Sequence, residues 1–312
     1  MFESRSSPTS QSQDLLDRPR VVVVTRPSEY QLLLAQHGTR EQARFFLSTR
    51  GQAIEPIQAA HEAFFAARHR VLGAIPPSWR QASIERGDLH RFLFEPSDLV
   101  VAIGQDGLVA NVAKYLKGQI VIGIDPAPGH NAGVLVRHRA EQAGKLLQAG
   151  ARGRLRVEAR TMVRVELDDG QSLIALNELF IGHPRHQSAR YCIACPTGRE
   201  RHSSSGVVVT TGTGATGWAR SIVRERLDSN FAMPGPEDER LAFFVREAWP
   251  SPTTGTKVTQ GLLEPGQMLE LTSELDDGVV FGDGIESDRL EFRWGVRASI
   301  RVAERRLRLA VG

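Results

Sequence analysis

The chain has 312 residues, 41% hydrophobic and 24% charged, which places it among globular proteins and leaves room for two domains of ordinary size. Its formal net charge is only +3, from 39 basic and 36 acidic residues with no basic block, so composition gives no argument for nucleic acid. No apolar run approaches the ~18–20 residues that a membrane helix needs, so no membrane partner is expected.

The first twenty residues, "MFESRSSPTSQSQDLLDRPR", are rich in Ser, Gln and Pro and read as a disordered tail. Glu3, Asp14 and Asp17 argue against a transit peptide, which is poor in acids, so the expectation is a cytoplasmic protein without a targeting segment. The ordered chain begins at "RVVVVTRP". Four successive valines predict a strand buried on both faces of a parallel sheet, ended by Pro27. Thr39 is placed to cap a helix that Gly51 stops. Helical spacing runs over 59–72, and a second helical piece is predicted near 78–93. A strand over 98–103 then leads through a tight turn into a helix near 107–117. The buried strand "QIVIGID" and the helix "RHRAEQAGKLLQAG" follow. This alternation predicts an α/β domain with a parallel sheet over 21–150.

From 151 the period changes to two. "RLRVEARTMVRVELDDGQSLIALNELFIG" alternates and turns at Asp168-Asp169-Gly170, a hairpin signal. "SARYCIACP", "SSGVVVTTG", "LAFFVREAW", "GQMLELTSEL", "GVVFGDGI" and "RLEFRWG" are further short strands. Residues 151–312 are therefore predicted to be mostly β, with one helix from near Gly214 and the last residues returning to the first domain.

Cys192 and Cys195 form a CxxC with no second pair, in an alternating stretch, which fits a reduced protein better than a zinc ribbon. His183 and His186 in "HPRH" follow a strand and read as a polar loop. No metal site is predicted.

Three stretches place polar groups where an ordinary core would not. In "VVAIGQDGLVANVAKYL", Asp106 sits on a Gly-flanked turn at the carboxyl end of a parallel strand, where open α/β sheets bind ligands. The helix that follows offers its first N–H groups to phosphate, and Gly104 and Gly107 let backbone come close. In "SSGVVVTTGTGATGWARS", Gly212, Gly214 and Gly217 suit close backbone approach to a ligand. The hydroxyls of Thr210, Thr211, Thr213 and Thr216 can bond phosphate or ribose; the plainer reading is a flexible loop. In "ALNELFIG", Asn177 and Glu178 interrupt an apolar strand and need partners. Those partners are either a structural network or the adenine edge and ribose hydroxyls of a ligand.

These stretches in this order, with the later "VVFGDGIE", resemble the NAD kinase (ATP-NAD kinase) family. That family pairs an α/β domain carrying GGDGT with a β-rich domain carrying a Leu-Asn-Glu strand and a Thr-Gly-Ser/Thr loop. The resemblance is to its divergent, mitochondrial-type branch, on "VVVVTRPSEY", "ALNELFIG", "SSG", "TGTG…W" and "FFVREAW", and covers residues 20–285. It implies an NAD kinase / diacylglycerol kinase-like fold. The implied reaction moves the γ-phosphoryl of ATP to the 2′-hydroxyl of the adenosine ribose of NAD, giving NADP. By the same resemblance Asp106 holds and deprotonates that hydroxyl, and Gly104, Gln105 and Gly107 form the phosphate turn. Asn177 and Glu178 bind the ribose and base region of NAD, while Thr211, Thr213, Thr216, Gly217, Trp218 and Ser221 line its pocket. Mg²⁺ is implied with ATP, and the assembly implied is a homodimer.

The chain departs from the family at several points. GGDGT reads here as "GQDGL": Gln105 replaces a glycine and Leu108 a hydroxyl. Gly217 and Trp218 stand for Ala and Tyr, and Asp125 stands for Asn. A glycine at 105 could serve a positive φ, or simply leave room for phosphate. The expectation is normal NAD binding, poor ATP binding and low kinase activity. Two other classes stay open. A non-catalytic homologue could bind NAD(H) or NADP(H) as a sensor, which the altered turn favours. A diacylglycerol/sphingosine-type kinase also uses a GGDG turn, but "ALNE" and "TGTGATGW" argue against it.

Overall fold

The computed structural model describes residues 18–129, 133–226 and 231–312. The tail expected over 1–20 lies, as far as residue 17, outside the described residues. The chain divides into two compact units, Met1–Glu158 with Arg308–Gly312, and Ala159–Leu307.

The first unit runs β1 (Val21–Thr25), α1 (Glu29–His37), α2 (Arg40–Ser48), α3 (Glu55–Gly73), β2 (Gln81–Glu85), β3 (Leu99–Ile103), α4 (Asp106–Ala113), β4 (Ile120–Asp125), β5 (His138–Arg139), α5 (Ala143–Ala151) and β6 (Val157–Arg160). β1 pairs in parallel with β2 on one side and β3 on the other, and β3 pairs in parallel with β4. All four valines of β1 are fully buried, which is why the strand reads as one continuous apolar run. α3 and α5 cover one face, packing Phe64, Val71, Leu146 and Leu147 on Val21, Val23, Val101 and Ile122. α4 packs against β3 and β4. The crossover after β1 runs to β2, whereas that after β3 runs the other way, to β4. The strand order reverses between β1 and β3, the place where α/β sheets open a crevice at their carboxyl ends.

Two segments differ from the sequence pattern. The stretch predicted as helix near 78–93 is instead strand β2 followed by a short 3₁₀ turn, Arg86–Arg91. Its side chains alternate, with Ala82 and Ile84 half-buried and Gln81, Ser83 and Glu85 exposed, as befits an edge strand. Pairing with β1 decides the matter over local propensity. The sequence reading also stops at Pro27, yet α1 begins at Glu29. Ser28 Oγ accepts the Gln31 N–H at 3.2 Å and Gln31 Oε1 accepts the Ser28 N–H at 3.0 Å, a capping box.

The second unit runs β7 (Val163–Leu167), β8 (Ser172–Ala175), β9 (Glu178–Gly182), β10 (Ala189–Cys195), β11 (Gly198–Ser204), β12 (Val207–Thr210), α6 (Trp218–Glu225), β13 (Leu241–Val245), β14 (Gln260–Leu263), β15 (Leu269–Ser273), β16 (Val279–Gly282), β17 (Ile285–Glu291) and β18 (Arg297–Val302). Two six-stranded sheets form, in the orders β11-β10-β15-β18-β7-β8 and β14-β13-β12-β9-β16-β17. Their pairings are antiparallel. Val165, Tyr191, Ile193 and Ile300 of the first meet Leu179, Ile181, Val209 and Phe243 of the second in one shared core. α6 lies on the outer face of the second sheet, Ala219 and Ile222 against Phe180, Val208 and Phe244. The predicted Asp-Asp-Gly hairpin joins β7 to β8 through Gly170, whose φ of 93° is a left-handed conformation suited to glycine.

The chain then re-enters the first unit as β19 (Leu307–Ala310), placing Arg308 and Leu309 parallel to Ile120 and Val121 of β4. That sheet reads β2-β1-β3-β4-β19-β6, with β5 beside β4, and is mixed, mostly parallel.

Candidate functional site

In the first unit the polar turn follows β3, where the Gly104 N–H donates to Ile124 O at 3.1 Å. Gln105 has φ −99° and ψ 166°, an ordinary extended conformation, so a side chain at this position carries no backbone strain. Asp106 opens α4. Its Oδ1 accepts the N–H groups of Leu135 and Val136 at 2.8 and 3.0 Å, and its Oδ2 that of Val134 at 3.0 Å. This segment is pressed onto β4: a Cβ on Gly123 would lie 2.1 Å from Leu135 O. Oδ1 is filled, but Oδ2 keeps one acceptor position. Asp106 thus pins a loop and can still hold one hydroxyl.

The neighbours of Asp106 divide sharply. Leu108 is 1% exposed and belongs to the buried side of α4. A Cβ on Gly107 would meet nothing within 4 Å, so open space lies over that residue. Asp125, at the end of β4, is buried and accepts the Ala127 N–H at 2.9 Å. Gln105 Oε1 accepts Arg26 Nη2 at 2.6 Å. Both line a cleft of about 580 Å³, which Ser28, His61, Phe64 and Gly104 help to wall. Ser28 Oγ lies 2.7 Å from His61 Nδ1.

In the second unit β9 lies between β12 and β16, and the antiparallel registers Thr210↔Glu178 and Gly282↔Leu179 bring three strand ends to one edge. Asp283, just past β16, accepts the Asn177 N–H on Oδ1 at 2.7 Å and the Leu176 N–H on Oδ2 at 3.0 Å. Its own N–H donates to Glu178 O at 3.0 Å. Its φ is 55°, a left-handed conformation that Asp tolerates better than most residues. Sequence reasoning missed Asp283; the Gly-Asp-Gly of "VVFGDGIE" was the available signal.

The threonines serve the same knot. Thr211 Oγ1 donates to Leu176 O at 2.6 Å and accepts the Thr213 N–H at 3.1 Å, while Thr210 Oγ1 donates to Asn177 O at 3.2 Å. Thr213 Oγ1 accepts Nη1 of the wholly buried Arg160 at 3.4 Å. Thr216 is exposed and donates to Thr213 O at 3.4 Å. Two glycines need correcting. A Cβ on Gly212 would lie 1.9 Å from Gly235 O and one on Gly214 2.3 Å from Asn177 O. What comes close to them is this chain's own backbone. Only Gly217 of the three is open, its nearest neighbour Gly214 O at 3.5 Å.

Trp218 stacks on Phe180 at 5.7 Å, and the Arg246 guanidinium lies 5.1 Å from its ring. Ser221 is exposed on α6. Burial, helped by the charge of Asp283, pushes the Glu178 carboxyl up to about 7, so near neutrality it can donate as well as accept. Among the described residues the side chains of Asn177 and Glu178 form no hydrogen bond.

The remaining candidates are plain. His183 Nδ1 accepts the Arg185 N–H at 3.1 Å within its loop. Cys192 and Cys195 are free thiols three residues apart on β10, so their side chains leave opposite faces of the strand. Among the described residues no group of three or more His, Cys, Asp or Glu is placed to hold a metal.

Fold and site together define a protein with an α/β unit, whose mostly parallel sheet ends in a polar, Gly-flanked turn, and an antiparallel-β unit with a polar knot at one sheet edge. No protein-family model matches the chain. It is similar to the NAD kinase of Thermotoga neapolitana, 32% identical over 132 residues, which is 40% of this chain and 48% of that protein. The chain thus spans about half the length of the curated relative it matches.

Proposed function

We propose that this protein is an NAD kinase, transferring the γ-phosphoryl group of ATP to the 2′-hydroxyl of the adenosine ribose of NAD. The observation that carries the reading is Asp106: a carboxylate fixed by three backbone N–H groups at the strand-order reversal, with one acceptor position left on Oδ2. The similarity to a NAD kinase supports it. In this reading Oδ2 takes the ribose hydroxyl proton as the 2′-oxygen bonds to the γ-phosphorus. The bond from that phosphorus to the β,γ-bridging oxygen breaks, and ADP leaves with the electron pair. Gly104, Gln105 and Gly107 flank the phosphates. Asn177 offers its amide and Glu178 its carboxyl to the ribose and base region of NAD. Thr211 and Thr213 hold the loop that carries Thr216, Gly217, Trp218 and Ser221 to the pocket wall.

Mg²⁺ enters this reading with the phosphates of ATP, whose charge it would neutralise; among the described residues no group of three or more His, Cys, Asp or Glu is placed to hold a resident ion. A homodimer, a cytoplasmic location and the mitochondrial-type branch belong to the same proposal. Among the described residues no helix is long and apolar enough to cross a membrane.

The test is NADP formation by the pure protein with ATP, Mg²⁺ and NAD. NAD binding without NADP formation would favour the sensor, for which the altered turn, with Leu108 buried where a hydroxyl could meet phosphate, is the supporting observation. Neither binding nor turnover would favour a lipid-type kinase.

A further inference from the structure

Arg26 follows β1 and borders two hollows of the first unit, the cleft of about 580 Å³ and a second of about 370 Å³. Among the described residues its guanidinium makes one side-chain hydrogen bond, to the neutral amide of Gln105, and no ion pair. Its remaining N–H groups, and the two on the Gln105 amide nitrogen, leave donors for an anion. Among the described residues none of the nearby acids forms an ion pair with it, and Glu85 borders the second hollow. Asp106 is engaged by residues 134–136 and Asp125 by Ala127, while Glu29 lines the cleft from an exposed position on the first turn of α1. The rest of the wall is largely apolar, including Pro56, Ile57, Ala60, Phe64 and Pro126. A cation and a carboxamide at one place, an apolar wall beside them and a volume within the ~300–1,000 Å³ of ligand pockets suit a nucleotide. Its phosphates meet the planar fork and its base the apolar side.

We propose that Arg26 is a phosphate ligand for the nucleotide donor and that Gln105, standing where the related family has glycine, is its holder. The amide oxygen orients the guanidinium, and the amide N–H groups join it on the phosphate. The identity of the nucleotide as a phosphoryl donor rests on the kinase reading; the binding role does not. Gln105 then compensates for the altered turn instead of damaging it.

The experiment is calorimetric binding of Mg·ATP, inorganic tripolyphosphate and adenosine to the full chain without NAD, for wild type, R26A, R26K, Q105G and R26A/Q105G. Melting temperatures check that each variant folds. We expect R26A to weaken ATP and tripolyphosphate about ten- to a hundredfold, the loss of a charge-assisted contact, and to leave adenosine unchanged. R26K recovers part of the loss, because a single ammonium lacks the fork. Q105G weakens ATP by a smaller factor in wild type and by less again in R26A, where only the direct contact of the Gln105 amide remains to be lost, since the larger part of its effect runs through Arg26. Unchanged ATP affinity in R26A, a loss falling equally on adenosine, or additive effects in the double variant would each overturn the proposal. The readout needs no turnover, so a protein that binds ATP through Arg26 yet makes no NADP overturns the kinase reading alone. NADP formation with unaltered ATP binding in R26A overturns this one alone.

Discussion

Asp283 holds Asn177 by its main chain, 2.7 Å from Oδ1 to the amide nitrogen, while its second oxygen takes the neighbouring amide of Leu176. The polar residue that sequence analysis singles out is thus posed by an acid from another strand. Asp283→Ala strands two backbone N–H groups at the start of β9, and a loss on the order of 2 kcal/mol is expected from urea unfolding. Stability equal to wild type would remove Asp283 as the anchor.

Asn177→Ala behaves differently. Its side-chain amide forms no hydrogen bond among the described residues, so the melting temperature stays near wild type. If Asn177 faces NAD, affinity for NAD falls by ~1–3 kcal/mol, the worth of an unmet buried polar partner. A lower melting temperature with unchanged affinity would assign the residue to structure alone.

Glu178 makes stability depend on pH. Its carboxyl is held at about 7 in the folded protein, against an ordinary 4.5. Between those values the folded state binds more protons than the unfolded state, so stability falls as pH rises. The contribution is complete below about 4.5 and lost above about 7, ~3 kcal/mol in all. Glu178→Gln flattens that slope. Unfolding curves at several pH values for both proteins decide the point: parallel pH profiles would rule it out.

Asp106→Asn combines two effects. If Asp106 takes the ribose proton, as the kinase reading has it, the amide cannot, and NADP formation drops ~10²–10⁴-fold, the usual worth of a general base. Its NH₂ group also opposes a backbone N–H of the 134–136 segment, so a modest drop in melting temperature accompanies the loss. NAD affinity changes little. Turnover near wild type would end the assignment.

Gly123→Ala and Gly107→Ala form a contrasting pair. The first places a methyl 2.1 Å from Leu135 O, so the 134–136 segment must lift from β4 and thermal stability falls. The second meets nothing of its own chain and leaves stability intact. If donor phosphate comes close to Gly107, the second variant raises the KM for ATP without touching the melting temperature. An unchanged KM would mean that the open space is not used.

Much of this architecture was legible because the signals were local. The valines of β1 read as a two-face buried strand, and Thr39 does cap α2, its Oγ1 accepting the Gln42 N–H at 3.2 Å. β2 was illegible, since nothing in Gln81–Glu85 outweighs a helix until β1 lies beside it. Gly212 and Gly214 were seen as special but for the wrong reason. The carbonyls that crowd them belong to Gly235 and Asn177, residues no spacing rule connects to that loop. Asp283 needed knowledge that β12, β9 and β16 are neighbours. The Asp106 turn could be picked out by type and position. Its three partners at 134–136 could not, because they come from beyond the next strand.

The place of β19 in the first sheet bears on how the protein is made. A ribosome finishes β1 to β4 early, then spends on the order of ten seconds on Ala159–Leu307 before Arg308 and Leu309 exist. Throughout that interval the edge of β4 that will pair with β19 lacks its partner, and a bare strand edge is a template for unwanted pairing. The nascent chain therefore passes through a stage in which the first sheet is exposed at an edge that the finished protein covers.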